Sequence, residues 1–340
     1  MTFGEIPLRH ANWPDAPRSR RMTLRRGLWQ SGRVTEAGVP IAVQQHAPLP
    51  ATLSPSRASD YLSCQLKFFF TAVDRWRTPP TEHTALGNLV HEVIEHLYLR
   101  DPQDRTRQDA QRLLDEAWPE WCAKPEYVDL LNPTIRLKAE QSLDGLYTLE
   151  DPTQLTVQAA DVETWVEATL YGAPIRGRID RMTDDGVWRI SDYKTGRVPA
   201  ARYVEKSLQG LFTYAAALAA SHPEKRLPDE VELLYLLGPK RIRRPVLRPY
   251  LLEHAGRLDV TWSSIETSFD SSTWHATTGP LCRFCDFAQA CPVRNRSAPQ
   301  PGTPESHQIL AARGLRRSQT AVPDTGRDPD RDAAEVAVSE

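Results

Sequence analysis

The residues best suited to chemistry lie in two short stretches, Gly177 to Arg181 (GRIDR) and Ile190 to Gly196 (ISDYKTG). Side chains alternate along a strand, so Asp192 and Lys194 share one face with Trp188 and Ile190. An acid and an ammonium on an otherwise apolar face are costly to desolvate, so the pair needs a reason to be there. Asp180 ends the preceding strand-like run. If that run folds back through the turn Asp184-Asp185-Gly186, Asp180 and Asp192 converge. Two such carboxylates repel unless a cation lies between them. A hard divalent ion, Mg2+ or Mn2+, meets that need, and it characteristically leaves positions for water and substrate phosphate. Lys194 would then orient or deprotonate the attacking water, or neutralise charge growing on phosphorus. Taken alone, an Asp-x-Lys pair reads first as an ordinary hairpin salt bridge.

Three neighbours bear on that choice. His91 lies mid-helix after Gly87, in a run HEVIEH that brushes past the zinc-protease helix motif. That motif requires histidines four residues apart. Here the second follows at five, roughly 140° around the helix, so a zinc protease is excluded. Gln209 and Tyr214 follow the Asp192 strand in an Ala-rich helix and could hydrogen-bond phosphate or bases. Their five-residue separation keeps them off one helix face.

The cysteines form a second constellation. Cys282, Cys285 and Cys291 fall close together, and a C-x2-C spacing lets two thiolates grip one metal ion or cluster. Cys64 and Cys122 are the remaining thiols of five. Cys122 reads as a packing residue in a helix. Nothing indicates export, so free thiols or metal ligands are expected rather than disulfides. The same reading places the protein in the cytoplasm.

The elements that must position these groups can be traced. The chain has 340 residues, a formal net charge of −2 and 25% charged residues. These values exclude a collagen-like chain, a coiled-coil rod and a uniformly basic nucleic-acid coat, although a local basic surface remains open. No apolar run approaches the roughly 20 residues a membrane helix needs. Residues 1–50, with the basic Arg18 to Arg26 segment, read as a mobile extension, and 296–340 as a disordered tail. Between them the pattern is globular. Ser54 or Ser56 caps a helix with Pro55 in its first turn. Residues 84–99 carry apolar side chains at helical period, and 105–150 continue as helices. Segments 160–170, 174–182 and 187–194 read as strands, 203–221 as a helix, and 232–237 as a strand before the basic run Lys240 to Arg244. That order is a mixed α/β domain. No P-loop of the G-x4-G-K-[ST] kind is present.

Read in order, Gly87 and His91, Gly177 and Asp180, Asp192 to Gly196, and the Gln209–Tyr214 helix resemble the RecB-type nucleases of the PD-(D/E)xK superfamily. The likeness spans about residues 54–292. It implies a restriction-endonuclease-like core, a mixed central sheet flanked by helices, with a helical insertion and a C-terminal cysteine-rich region. It further implies that His91, Asp180, Asp192 and the Tyr193 carbonyl bind Mg2+ or Mn2+, and that Lys194 is catalytic. Gln209 and Tyr214 would touch substrate, and Glu163 or Glu167 would be a supporting acid. One cysteine before the core and three after it match the iron–sulfur-containing branch. That layout implies a [4Fe–4S] cluster on Cys64, Cys282, Cys285 and Cys291, with Zn2+ as the competing occupant. The expected activity is exonuclease action on DNA ends or single strands. The alternatives are a non-cleaving nucleic-acid-binding module and a zinc-stabilised scaffold.

Overall fold

The computed structural model describes residues 38–318. The Arg18 to Arg26 segment, the rest of the proposed arm through residue 37, and the tail from residue 319 lie outside the described residues.

Local sequence sets the helix starts. The Ser54 hydroxyl accepts the Arg57 N–H and Pro55 occupies the first turn of α1 (Pro55–Ser63), as the cap pattern predicts. The chain continues through α2 (Gln65–Phe68), β2 (Trp76–Arg77), α3 (Glu82–Tyr98), α4 (Arg107–Cys122) and α5 (Pro133–Leu149), after a first short strand, β1 (Val39–Ala42). Thr81, Thr106 and Asn132 cap α3, α4 and α5 with their side-chain oxygens. The central sheet follows: β3 (Val162–Leu170), β4 (Ala173–Asp184), β5 (Trp188–Lys194), then α6 (Val204–Ser207) and α7 (Gln209–Ser221), then β6 (Glu230–Tyr235) and β7 (Lys240–Pro245). α8 (Arg248–Asp270), β8 (Thr273–Ala276), α9 (Pro304–Ala312) and β9 (Arg316–Arg317) complete the described chain. Among the described residues, no helix is long and apolar enough to cross a membrane.

The five strands lie in the order β3-β4-β5-β6-β7. Only β5 and β6 run parallel, which demands a crossover, and α7 supplies it. Tight turns join the antiparallel pairs: Tyr171 takes φ 57° before Gly172, and Gly186 takes φ 92°. One face of the sheet is covered by α3, α4 and α5, whose core includes Leu89, Val93, Leu114, Leu143 and Tyr193. The other is covered by α1, α2, α7 and α8, with Phe68, Phe70, Ala216 and Ile265. This is a central mixed sheet flanked by helices. α5 approaches β6 so closely that a Cβ on Gly145 would fall 1.9 Å from the Leu236 carbonyl oxygen.

Two boundary expectations need correction. Residues 38–50 are not all extension: β1 pairs antiparallel with β8, and Val43 is buried. Residues 296–318 are not disordered. Leu310 and Leu315 of this segment are buried, Gly302 (φ 90°) packs on the Gln44 carbonyl, and Gln44 donates to the Pro301 carbonyl at 2.9 Å. Buried Asp74 holds the same segment through Arg317 at 2.6 Å and His307 at 2.9 Å. Average composition hid this because two leucines and one ion-pair anchor suffice to dock a short segment.

His254 on α8 is buried against α7. Its Nε2–H donates to the Thr213 hydroxyl at 2.8 Å and its Nδ1 accepts from Arg257 at 3.3 Å. Burial, reinforced by the Arg257 charge, lowers its pKa to about 4. The unfolded chain therefore takes up a proton below pH about 6.5 that the folded protein refuses until about pH 4. Stability contributed above pH 6.5 is lost as pH falls through that window, by about 3 kcal/mol in total. His254→Gln should flatten the acid limb of a denaturant-derived stability–pH curve between those values. Superimposable curves for the two proteins would refute the assignment.

Candidate metal centre

The site arises where two strands part. β4 and β5 pair from Asp184↔Trp188 to Arg181↔Ser191 and no further. Beyond that point β4 continues against β3, and β5 against β6. Asp180 and Asp192 stand at the opening. The Asp180 carboxylate takes the place of a ladder partner, with Oδ2 accepting the Tyr193 N–H at 2.9 Å.

His91, on α3, reaches the same opening. Its Nε2 lies 2.9 Å from the Tyr193 carbonyl oxygen and its Nδ1 3.5 Å from Asp180 Oδ2. A carbonyl only accepts, so Nε2 carries the hydrogen and the lone pair of neutral His91 sits on Nδ1, facing the carboxylate. Two acceptors facing each other call for a cation or a proton between them. A ring N–H held by a backbone carbonyl while the other nitrogen faces outward is also how metal-binding histidines are usually oriented.

Glu163 completes the cluster. Ligand atoms of His91, Glu163 and Asp180 all lie within 4.8 Å of one another. Glu163 faces Asp180 between the paired residues Val162↔Arg181 and Thr164↔Ile179. It has φ 49°, a left-handed conformation that costs a non-glycine residue about 1–2 kcal/mol. Strand alternation breaks at the same place. Adjacent Asp180 and Arg181 both reach α3, Asp180 at His91 and Arg181 at Tyr98. Arg178 braces Glu163: its Nε lies 2.9 Å from both the Glu163 carbonyl oxygen and Oε2, and its Nη2 3.2 Å from Glu95 on α3. Of the two acids Glu163 and Glu167, it is Glu163 that lies in the cluster. Glu167 is exposed and pairs with Arg176.

Asp192 and Lys194 form a separate buried pair, 2.9 Å apart, with exposures of 1% and 4%. Asp192 stands outside the 4.8 Å grouping. The Tyr193 peptide between them links the two parts, since its N–H serves Asp180 and its C=O serves His91. The Tyr193 ring is anchored behind the site over the buried Arg181 guanidinium, 5.4 Å from the ring centroid. Arg181 also pairs with Glu150, bonds the Tyr98 hydroxyl and, at 3.2 Å, Ser191, and lies 3.5 Å from Glu232. Burial works against Glu150 ionising, but Arg181, Tyr98 and Arg241 outweigh it and hold its carboxyl below the usual range. The oxygen–nitrogen donor set of His91, Glu163 and Asp180 suits a hard or borderline metal.

Gln209 and Tyr214 do not join this group by any described contact. Gln209 donates to the Glu205 carbonyl at 2.9 Å and to the Tyr250 hydroxyl at 3.0 Å. Tyr214 is 3% exposed, and its ring fills the space a Cβ at Gly177 would occupy, 2.3 Å away. Gly177 thus admits Tyr214 under β4, three residues before Asp180. The basic run on β7 is also largely turned to acids: Arg241 and Arg243 pair with Glu232, and Arg244 with Glu205.

The thiols of Cys64, Cys282, Cys285 and Cys291 are free and half-buried. Burial raises the Cys285 and Cys291 thiols alike, and the neighbouring Cys64 adds to both shifts. Phe70 stacks on Phe287 at 5.0 Å and binds the two segments together. Burial pushes the Cys285 thiol up to about 11.

A family model described as the PD-(D/E)XK nuclease superfamily matches residues 52–292, well over half the chain. The chain belongs to that superfamily, whose members are nucleases that use divalent metals. Among curated proteins it is 28% identical over 136 residues to the Gene 69 protein of Mycobacterium phage D29, covering 39% of this chain. The chain spans about half the length of that relative, 48%. Among solved structures it is similar to a candidate exonuclease from Eubacterium rectale, at 15% identity and a TM-score of 0.45, covering 68% of this chain and 87% of the other.

Proposed function

We propose that this chain is a metal-dependent deoxyribonuclease, a RecB-like exonuclease acting on DNA ends or single strands in repair or recombination. The observation that carries the reading is the cluster: His91 Nδ1 lies 3.5 Å from Asp180 Oδ2, with Glu163 in the same 4.8 Å group. His91, Glu163 and Asp180 would hold Mg2+ or Mn2+, with Asp192 across the opening. Bound there, the ion would polarise the phosphate and favour deprotonation of water. The rest falls to the protein. The Tyr193 peptide fixes Asp180 and His91 relative to each other. Lys194, poised on Asp192, would orient the attacking water and offset charge on phosphorus. A helicase or another recombination partner would open duplex DNA.

The test uses 5′- and 3′-labelled single and double strands. Cleavage should require Mg2+ or Mn2+ and stop with a chelator. Shortening from one labelled end supports an exonuclease. Tight binding without cleavage under every metal condition would replace this reading with the non-cleaving module.

We further infer a [4Fe–4S] cluster on Cys64, Cys282, Cys285 and Cys291. The support is the cysteine layout, one thiol before the core and three after it as C-x2-C-x5-C; the choice of iron over zinc rests on the family resemblance. The cluster would tie α1 to the end of the nuclease domain. Closing so long a loop removes about 4–5 kcal/mol of unfolded-chain entropy. Cys285→Ala should therefore lose the visible iron–sulfur absorbance and melt lower together. Retention of full absorbance with normal melting would contradict the ligand set.

A further inference from the structure

Arg178 lies inside the centre without being one of its ligands, and its contacts have a particular pattern. One guanidinium meets three groups: Nε–H donates to the Glu163 carbonyl oxygen at 2.9 Å and ion-pairs with its Oε2 at 2.9 Å, and Nη2 reaches Glu95 at 3.2 Å. Glu95 lies one helical turn beyond His91 on α3, on the same side of that helix. Arg178 itself lies two residues before Asp180 on β4, on the same side of that strand. The three elements that carry His91, Glu163 and Asp180 therefore meet at this one side chain.

Glu163 shows why such a brace is needed. Its left-handed φ of 49° persists only if the surroundings over-determine it. Arg178 grips both its carbonyl and its carboxylate, which fixes backbone and side chain at once. A carboxylate has several acceptor sites, so an ion pair on one oxygen is compatible with Glu163 binding an ion. A lysine could not do the same work, because an ammonium lacks the planar fork that engages separate acceptors in set directions.

We propose that Arg178 is the positioning residue of the metal centre: it locks Glu163 as a protein ligand and holds α3, with His91, in register with β3 and β4. This rests on the reading of His91, Glu163 and Asp180 as a metal centre, which it deepens. Arg178 touches neither the ion nor the substrate. Its removal should weaken metal binding by loosening Glu163 and α3.

The test is Mn2+ affinity of the full chain by titration calorimetry, alongside the Mn2+ dependence of cleavage. Loss of a residue that orients a ligand typically weakens metal affinity 10- to 100-fold. Arg178→Met should show that loss, with Mn2+ half-saturation of cleavage rising by the same factor. Arg178→Lys should lose nearly as much despite keeping the charge. A residue acting on the fold alone would lower the melting temperature without moving half-saturation. A residue contacting DNA would raise KM for DNA instead. Glu95→Gln keeps the shape and loosens only the α3 anchor, so it serves if Arg178→Met fails to fold; a rise of about threefold or more is expected. If either foldable variant binds Mn2+ as wild type does while Glu163→Gln binds weakly, the positioning role is overturned and the centre stands. If His91→Ala and Glu163→Gln also bind as wild type does, the centre itself is wrong.

Discussion

Lys194→Gln is expected to lower kcat for phosphodiester cleavage by about 10²–10⁴-fold, with little change in KM for DNA. The side chain is 4% exposed and sits 2.9 Å from Asp192, so it is placed by the fold rather than free on a surface. A buried lysine in that position can hand a proton on or offset charge at phosphorus. Glutamine is the informative substitution. Alanine would leave Asp192, 1% exposed, without its cation, and breaking a buried pair costs about 3–5 kcal/mol. Unfolding would then imitate a catalytic defect. Glutamine keeps a donor toward Asp192. The measurement is single-turnover cleavage together with thermal melting of the same preparation. A folded Lys194→Gln protein that cleaves at the wild-type rate would remove Lys194 from the mechanism.

Arg181→Ala is expected to cost about 3–5 kcal/mol of stability. The guanidinium is 1% exposed, pairs with Glu150 and lies 3.5 Å from Glu232. Removing it leaves two buried carboxylates facing the same void. For a domain of this size the loss corresponds to a melting shift of roughly 6–20 °C. Part of the damage should reach the site, because the Tyr193 ring lies over Arg181 while the Tyr193 peptide serves both Asp180 and His91. Arg181→Met combined with Glu150→Gln should recover much of the stability, since it removes both members of the pair and fills the space. If Arg181→Ala melted within a degree or two of wild type, the buried network would have no energetic role.

Much of this architecture was legible in residue order. The Ser54 cap with Pro55, the helical period around His91 and the turn residues Asp184 to Gly186 are local signals, and each lies where the pattern places it. α8 left no such mark in the reading. Its 23 residues mix Arg, Glu, Asp and Ser among the apolar positions, and its exposed Val260 blurs the stripe. The docking of residues 296–318 was also hidden, because Asp74 and Gln44, which hold the segment, lie over 200 residues away in the chain.

The candidate site divides in the same way. The residues themselves mark Asp180, Asp192 and Lys194 as a group, since acids and an ammonium on apolar strands need partners; His91 joins them only through the family resemblance. They could not separate Glu163 from Glu167, two acids four residues apart on one strand. That choice fell to the break in alternation at Glu163 and Asp180, which turns one acid into the opening and leaves the other to Arg176 in solvent. Nor could they show that Tyr214 packs beneath Gly177, or that the arginines of β7 face Glu232 and Glu205. Which residue types this chemistry needs is written in short-range spacing. Which copies of them meet depends on strand register and the point where β4 and β5 diverge, and those are set by packing between segments far apart in the chain.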